Sequence, residues 1–169
     1  MNQALAAAHP TAPGARWRLG LCLEEASRHL EAFVEIWHAR AVECARTRRD
    51  EIQGLTSWAT TLRSLHRCDE ALELVDRAVA VDPSRTTNRI AYIVRIALLA
   101  DRHDGGAASR EATALLEEHP RDAAVLSVAG RAFMAMARTS GESAYRGQAN
   151  RCFARAKRLP PAREPPRSR

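Results

Sequence analysis

The stretch from Leu55 to Pro83, LTSWATTLRSLHRCDEALELVDRAVAVDP, constrains the fold more than any other part of this chain. Its apolar residues recur at spacings of three and four on both sides of a polar turn near His66, a pattern that predicts two amphipathic helices. Similar stretches recur along the chain with a period of about 34 residues. Because one helical hairpin cannot bury both of its faces, the recurrence predicts an all-α chain whose core is built by stacking hairpins.

The repeated pattern places small residues where two helices must come close together. Small side chains such as Ala59 and Ala71 let antiparallel helices approach, while larger ones such as Leu62 and Val75 fill the space between hairpins. A proline follows the second helix, as Pro83 does here, because proline cannot continue a helix. The stretch supplies the whole pattern without a gap, through Leu55, Ala59, Leu62, Ala71, Val75, Ala78 and Pro83.

This pattern resembles the tetratricopeptide repeat, and the resemblance covers roughly residues 14–161. It implies a right-handed superhelical solenoid of about four antiparallel helix pairs, with units at about 14–49, 50–85, 86–121 and 122–159. The fourth unit carries about seven extra residues near its turn. The matching residues of the other units are Leu19, Gly20, Leu23, Ala32, Ile36 and Ala39, then Ile93, Ala97, Ala100, Ala108, Ala112 and Pro120, then Leu126, Gly130, Phe133, Ala149, Phe153, Ala156 and Pro161.

Apolar spacing and capping residues predict the helix boundaries after residue 14. The second helix should end in the segment 47–49, with Asp50 as the N-cap of the third helix. Asp69 should cap the fourth helix, which stops before Pro83. The later helices are predicted to span about Thr87–Ala100, Ala107–Glu118, Asp122–Arg138 and Ser143–Leu159.

The two ends of the chain differ in composition from the repeats. Residues 1–13 are predicted to form a flexible leader, because two X–Pro pairs block a helix there. The formal net charge is +6, and the eight basic and two acidic residues from Gly141 onward account for all of this excess. The tail at 160–169, PPAREPPRSR, is predicted to be disordered and basic.

Sequence motifs for catalysis are absent from the chain. It contains no phosphate-binding Gly-rich loop, no G-x-S-x-G and no H-E-x-x-H. The four cysteines form no C-x-x-C pair, so no metal site, cofactor or disulfide framework is expected. His66 and Cys68 share a turn, but His66 occupies a place where this repeat often has glycine, which favours a structural role. Because catalytic motifs are absent, we expect no enzymatic activity. The apolar runs are too short for a membrane span or a signal peptide, and we expect a cytoplasmic protein.

In the tetratricopeptide family, the first helices of the units line a concave groove that holds a partner peptide or helix. By resemblance, this chain is expected to bind such a partner and to act as a scaffold, adaptor or chaperone-like subunit. The family's clamp for a C-terminal carboxylate is not expected, because Thr56 and Thr60 stand where it would start and the groove contains no Lys. The expected groove residues are Trp17, Arg18, Leu21, Gln53, Thr56, Thr60, Arg63, Val94, Arg95, Leu98, Ser127, Arg131 and Met134.

Two interpretations of the groove arginines are open on the sequence alone. Arg63, Arg95 and Arg131 have the chemistry to bind Asp or Glu side chains of an acidic partner in bidentate geometry. Alternatively, they are solvated and balanced within the chain by Glu24 and Asp101. The weakness of surface ion pairs favours this second interpretation.

The three tryptophans receive different predicted roles. Trp17, near the start of the first unit, either anchors a partner, since interface hot spots favour Trp, or caps the core of that unit. Trp37 and Trp58 are expected in the core.

The last predicted helix carries a basic stripe of Arg151, Arg155 and Arg158, on the face opposite Phe153 and Ala156. The favoured interpretation is a polar capping face whose cations complement the helix C-terminus. The second is an accessory site for nucleic acid or another acidic surface, although no stacking aromatic residues accompany it. A further hypothesis is self-association through an uncapped end unit.

Overall fold

A computed structural model describes the backbone of residues 30–159 and the side chains of residues 37–159. This part of the chain contains seven α-helices and no strand, which confirms the all-α prediction for it. The predicted leader, first helix and tail lie outside the described residues. The helices are α1 (Leu30–Glu43), α2 (Arg48–Ser64), α3 (Cys68–Val81), α4 (Arg89–Asp101), α5 (Gly105–Glu118), α6 (Ala123–Ser140) and α7 (Ser143–Arg158).

Each helix packs against the helix that follows it in the chain. In addition, α2 contacts α4, and α4 contacts α6. These three helices therefore lie in series, while α3 bridges α2 and α4, and α5 bridges α4 and α6. The central element is α4, because it touches α2, α3, α5 and α6.

The buried core is divided into two clusters that both include residues of α4. Leu55, Leu62 and Val75 are almost fully buried in the first cluster, which α2, α3 and α4 form. Leu115 and Leu126 are fully buried in the second, which extends from α4 to α7. Most small residues of the repeated pattern in the described part of the chain are buried as well, among them Ala59, Ala71, Ala97, Ala108, Gly130 and Ala149, whereas Ala39, Ala100 and Ala156 are half-buried. Close packing at these positions is what the pattern predicts.

The turn between α2 and α3 and the turn between α4 and α5 have the same backbone geometry. His66 and His103 have φ angles of 60° and 62°, in the left-handed region. In both turns the next residue donates its N–H to the carbonyl five residues earlier, at 2.9 Å and 3.0 Å, and so satisfies a free carbonyl at the helix end. His66 therefore has the structural role that its position predicts, and His103 repeats it.

The start of α2 differs from the predicted boundary. The preceding helix ends at Glu43, and Thr47 is the N-cap of α2. Thr47 Oγ1 accepts a hydrogen bond from the N–H of Asp50 at 3.1 Å, and Asp50 Oδ2 accepts one from the N–H of Thr47 at 3.1 Å. Because this reciprocal pair is a capping box, the predicted N-cap role of Asp50 is wrong. Asp69 likewise lies inside α3, which starts one residue before it.

The extra residues of the predicted fourth unit lengthen a helix rather than a loop. The helix α6 has 18 residues, against 13 in α4. It ends at Ser140, and its C-cap Gly141 has a φ of 74°, a left-handed conformation that glycine adopts without strain. The other predicted boundaries from Thr87 onward agree with the structure within two residues.

Ala71→Leu should lower the free energy of unfolding by about 1–3 kcal/mol. Ala71 has no exposed surface in the first core cluster, so the added carbons must displace packed neighbours. Chemical denaturation measures the effect, with Ala80→Leu, at an exposed position of the same helix, as the control. An unchanged unfolding midpoint for Ala71→Leu would contradict the packing described here.

Candidate functional site

Three of the four α2 residues of the predicted groove, Gln53, Thr56 and Thr60, border an open cavity of ≈ 890 Å³, here named the α2–α4 cavity. It lies between one face of α2 and the segment that leads into α4. Gln53 and Thr60 are exposed on this face. Thr56 is buried, and its hydroxyl donates to the carbonyl of Ile52 at 2.7 Å. The structure thus brings the three predicted α2 residues to one cavity, although Thr56 uses its only donor within its own helix.

The opposite wall of the α2–α4 cavity combines an exposed apolar side chain with a buried amide. Ile90 is 60% exposed, more than any other large apolar side chain in the described part of the chain. Asn88 is 2% exposed, and its Nδ2 donates to the carbonyls of Ala78 and Asp82 at 2.9 Å and 2.8 Å. The hydroxyl of Thr87 donates to the Asp82 carboxyl, which lowers the pKa of that carboxyl. The wall therefore combines an exposed apolar surface with polar side chains that are held in place by hydrogen bonds.

The α4 residues of the predicted groove face other helices. Leu98 has no exposed surface and packs in the first core cluster. Arg95 reaches toward α3 and α5, because its Nη1 lies 3.0 Å from Glu111 Oε1 and its Nε lies 2.9 Å from Asp76 Oδ1. Val94 is half-buried against the same cluster. The predicted groove positions of Arg95 and Leu98 are therefore wrong, since α4 is packed against helices on several sides.

Arg63 of α2 and Arg131 of α6 meet at a second cavity of ≈ 720 Å³, here named the basic cavity. Its border also includes Arg138, Asp101 and the two histidines of the left-handed turns. Arg63 Nε donates to Asp101 Oδ2 at 2.5 Å, so balance within the chain is confirmed for this arginine. Arg131 is exposed and forms no ion pair with another described residue. The basic cavity therefore keeps positive charge that the other described residues do not neutralise.

The remaining α6 residues of the predicted groove lie elsewhere. Ser127 borders a third cavity of ≈ 620 Å³ between α6 and α7, beside Phe153 and Lys157. Met134 is half-buried and packs against the second core cluster. The predicted groove is thus divided, because the α2–α4 cavity and the basic cavity share α2, whereas Ser127 belongs to neither. Trp17, Arg18 and Leu21 lie outside the described residues.

The predicted basic stripe on α7 is exposed along its length. Arg151, Arg155 and Arg158 are all exposed, and within the described chain none of them forms an ion pair. Arg155 Nη2 donates to the carbonyl of Pro120 at 2.7 Å, which joins α7 to the linker between α5 and α6. One arginine of the three therefore has a structural contact within the chain.

Trp58 lies at the edge of the first core cluster, in agreement with its predicted core position. Its ring stacks on that of His38, with centroids 6.1 Å apart and an interplanar angle of 10°. His38 is 8% exposed, and its Nε2 is hydrogen-bonded to Thr61 Oγ1 at 3.2 Å. Burial lowers the pKa of His38, so this ring packs in its neutral form. Trp37 is half-buried.

The cysteines and the residue types that bind metals are dispersed in the structure. No group of three or more His, Cys, Asp or Glu residues that could hold a metal ion occurs among the described residues. Burial raises the pKa of the Cys152 thiol, which makes the reactive thiolate rare. Cys68 is half-buried at the basic cavity, Cys44 is exposed, and Cys22 lies outside the described residues. No described helix has the length and apolar character needed to cross a membrane.

Ile90, His103 and Arg138 are among the residues at these cavities that the sequence does not indicate. Arg138 follows Arg131 by seven residues, which is about two helical turns, so spacing alone places both on one face of α6. Ile90 carries no such signal, because an apolar residue at the start of a helix ordinarily belongs to the core.

Comparison with known proteins assigns no family to these features. The chain matches no family model, no curated protein and no solved structure. The features that bear on its function are therefore the repeated pattern, the order of helix contacts and the two cavities that share α2.

Proposed function

We propose that this chain is a tetratricopeptide-like repeat protein that binds a partner protein or peptide along α2, α4 and α6. Burial of the small residues of the repeat supports this assignment. The direct contacts of α2 with α4 and of α4 with α6 also support it, since first helices stack in this way in a right-handed superhelical solenoid. In this role the chain is a cytoplasmic scaffold, adaptor or chaperone-like subunit and has no catalytic activity of its own.

The observation that carries the proposal is the continuity of one open face of α2. Gln53, Ser57, Thr60 and Ser64 follow each other at spacings of three and four residues, so they lie on one side of the helix. The first three border the α2–α4 cavity, and Ser64 borders the basic cavity. A partner segment that follows α2 therefore contacts both cavities, with Ile90 as apolar contact area at one end.

Blocking this face with large side chains should weaken partner binding by about tenfold or more. Gln53→Trp and Ser57→Trp, introduced together, place two indole rings at exposed positions of the α2–α4 cavity. The matched control is Glu73→Trp with Arg77→Trp, which has the same spacing at exposed positions of α3 outside the cavities described above.

The partner is captured from cell extract on the immobilised wild-type chain, identified by mass spectrometry, produced in pure form and titrated by calorimetry. The proposal requires the α2 variant to lose affinity and the α3 variant to keep it. Equal affinity of the two variants would show that the partner binds elsewhere, and failure to obtain any partner that binds in pure form would refute the proposal.

A further inference from the structure

We infer that the basic cavity binds carboxylate side chains of an acidic segment of a partner protein. The inference rests on the proposed function, because it assigns a ligand chemistry to one end of the same face. It differs from the interpretation that the sequence offers, since Arg95 is excluded by its contacts with α3 and α5, and Arg138 is added.

The charges that border the basic cavity are unequal. Three guanidinium groups, those of Arg63, Arg131 and Arg138, face one carboxylate, that of Asp101. Asp101 is already held by Arg63 Nε at 2.5 Å, which leaves the terminal nitrogens of Arg63 as donors. The cavity therefore presents an excess of donors and positive charge, the complement of a segment that carries more than one carboxylate.

The two guanidinium groups of α6 are the principal candidates for direct contact. In the described part of the chain, neither Arg131 nor Arg138 forms an ion pair, and Arg138 Nε makes only a 3.4 Å contact with the carbonyl of Met134 in its own helix. Seven residues separate them, which corresponds to about 10 Å along the helix axis. This spacing matches carboxylates two turns apart on a partner helix, or about three residues apart on an extended segment.

The histidines at the two turns supply a second, independent observation. His66 and His103 hold left-handed backbone conformations that glycine adopts without strain, and both side chains border the basic cavity. A turn alone gives no reason to prefer imidazole over glycine at either place. As ligand-binding residues, by contrast, the two rings add N–H donors to the border of the cavity.

Carboxylates fit the basic cavity better than a nucleic-acid backbone. No Phe, Tyr or Trp is among the described residues that border it, so the large aromatic rings on which successive bases stack are missing there. Asp101 also adds a negative charge within the cavity, which repels a continuous row of phosphates more than it repels separated carboxylates.

The test measures binding of a fluorescein-labelled oligoglutamate peptide to the full chain by fluorescence anisotropy at low salt. Replacing Arg131 and Arg138 together with Gln should weaken binding about tenfold or more. The matched control is Arg151→Gln with Arg158→Gln, which removes the same charge at the same seven-residue spacing from exposed positions of α7. The control should keep most of the affinity. Equal losses in both variants would show that binding depends only on the net charge of the chain, and this result would overturn the inference.

A second pair of variants tests the turn histidines. His66→Gly and His103→Gly together should keep or raise the melting temperature, because glycine removes the backbone strain, while the affinity for oligoglutamate falls severalfold. A raised melting temperature with unchanged affinity would assign the histidines to the turns alone. That result would remove them from the site and leave its donors on α6 and α2.

An oligodeoxythymidylate of equal length is titrated in parallel. If it binds more tightly than oligoglutamate and loses affinity through the α6 variant, the cavity is a phosphate site and the carboxylate assignment is wrong. Failure of this inference is distinct from failure of the proposed function. A natural partner whose binding is weakened by Gln53→Trp with Ser57→Trp, but is unaffected by Arg131→Gln with Arg138→Gln, would refute only the inference.

Discussion

Gly105→Ala should lower the free energy of unfolding by about 3 kcal/mol, a large effect for the addition of one methyl group. Gly105 is the first residue of α5, and it packs directly against the backbone of α6. A Cβ atom there would lie 2.7 Å from both the Cα and the N of Met136, and 2.9 Å from the carbonyl carbon of Ala135. These are backbone atoms, so no side-chain rotation relieves the overlap and the two helices must separate.

The neighbouring glycine provides the control for this prediction. A Cβ atom on Gly106 would lie 3.5 Å from Arg110 Nη1 and 3.7 Å from Asp104 Oδ1, which are the ends of flexible side chains. Gly106→Ala should therefore be neutral or should stabilise α5 by up to about 1 kcal/mol, because alanine favours the helix. Urea denaturation followed by circular dichroism measures both variants. Equal midpoints for the two would show that α5 and α6 do not approach as closely as described.

The helices and their close contacts follow from the sequence because they depend on local patterns. Spacings of three and four identify the apolar faces, and small residues such as Ala59, Ala71 and Ala108 mark where helices meet. The start of α2 is less predictable because Thr47 and Asp50 are both good caps, and only the reciprocal hydrogen bonds between them decide which one is the N-cap.

The face that α4 exposes is not predictable from the repeat, because it depends on how the helix is rotated against four neighbours. Ile90 and Asp101, which border the two cavities, are eleven residues apart and lie within about 20° of each other around the helix. Arg95 is about 140° away from Ile90, toward α3 and α5, and Leu98 is about 80° away. Alignment to a repeat assigns all units one rotation, and a modest error in that rotation moves a residue from the surface to the core.

The connections between the hairpins differ in length. Seven residues, 82–88, connect α3 to α4, whereas four residues, 119–122, connect α5 to α6. In the longer connection Asn88 is tied by its side-chain amide to Ala78 and Asp82. Such a contact sets how α4 enters the stack, and no helical periodicity encodes it.

The ion pairs of the arginines are also not predictable from the repeat. The repeat predicts a groove position for both Arg63 and Arg95, yet Arg63 pairs with Asp101 at a cavity, while Arg95 lies near Asp76 and Glu111 between helices. Whether an arginine pairs within the chain or is available to a partner depends on how helices that are distant in sequence are positioned relative to each other.

Leu98→Ala tests the corrected rotation of α4 directly and should lower the free energy of unfolding by about 3 kcal/mol. Leu98 has no exposed surface and packs in the first core cluster, so its truncation leaves a cavity that α2, α3 and α4 cannot fill without moving. Thermal and chemical denaturation of the purified variant measure the loss. A residue that lined an open groove would show a much smaller effect, because its side chain would already contact water.

Ile90→Ala is the matched comparison on the same helix. Ile90 is 60% exposed at the α2–α4 cavity, so its truncation should change the free energy of unfolding by about 0.5 kcal/mol or less. The two variants should therefore differ by about 2–3 kcal/mol in stability although each loses an aliphatic side chain of similar size. If Ile90→Ala were the more destabilising of the two, α4 would have to be turned the other way, and the exposed apolar wall of the α2–α4 cavity would be part of the core. If the stabilities are as expected, weaker partner binding by Ile90→Ala has no folding explanation and identifies Ile90 as a contact of the partner.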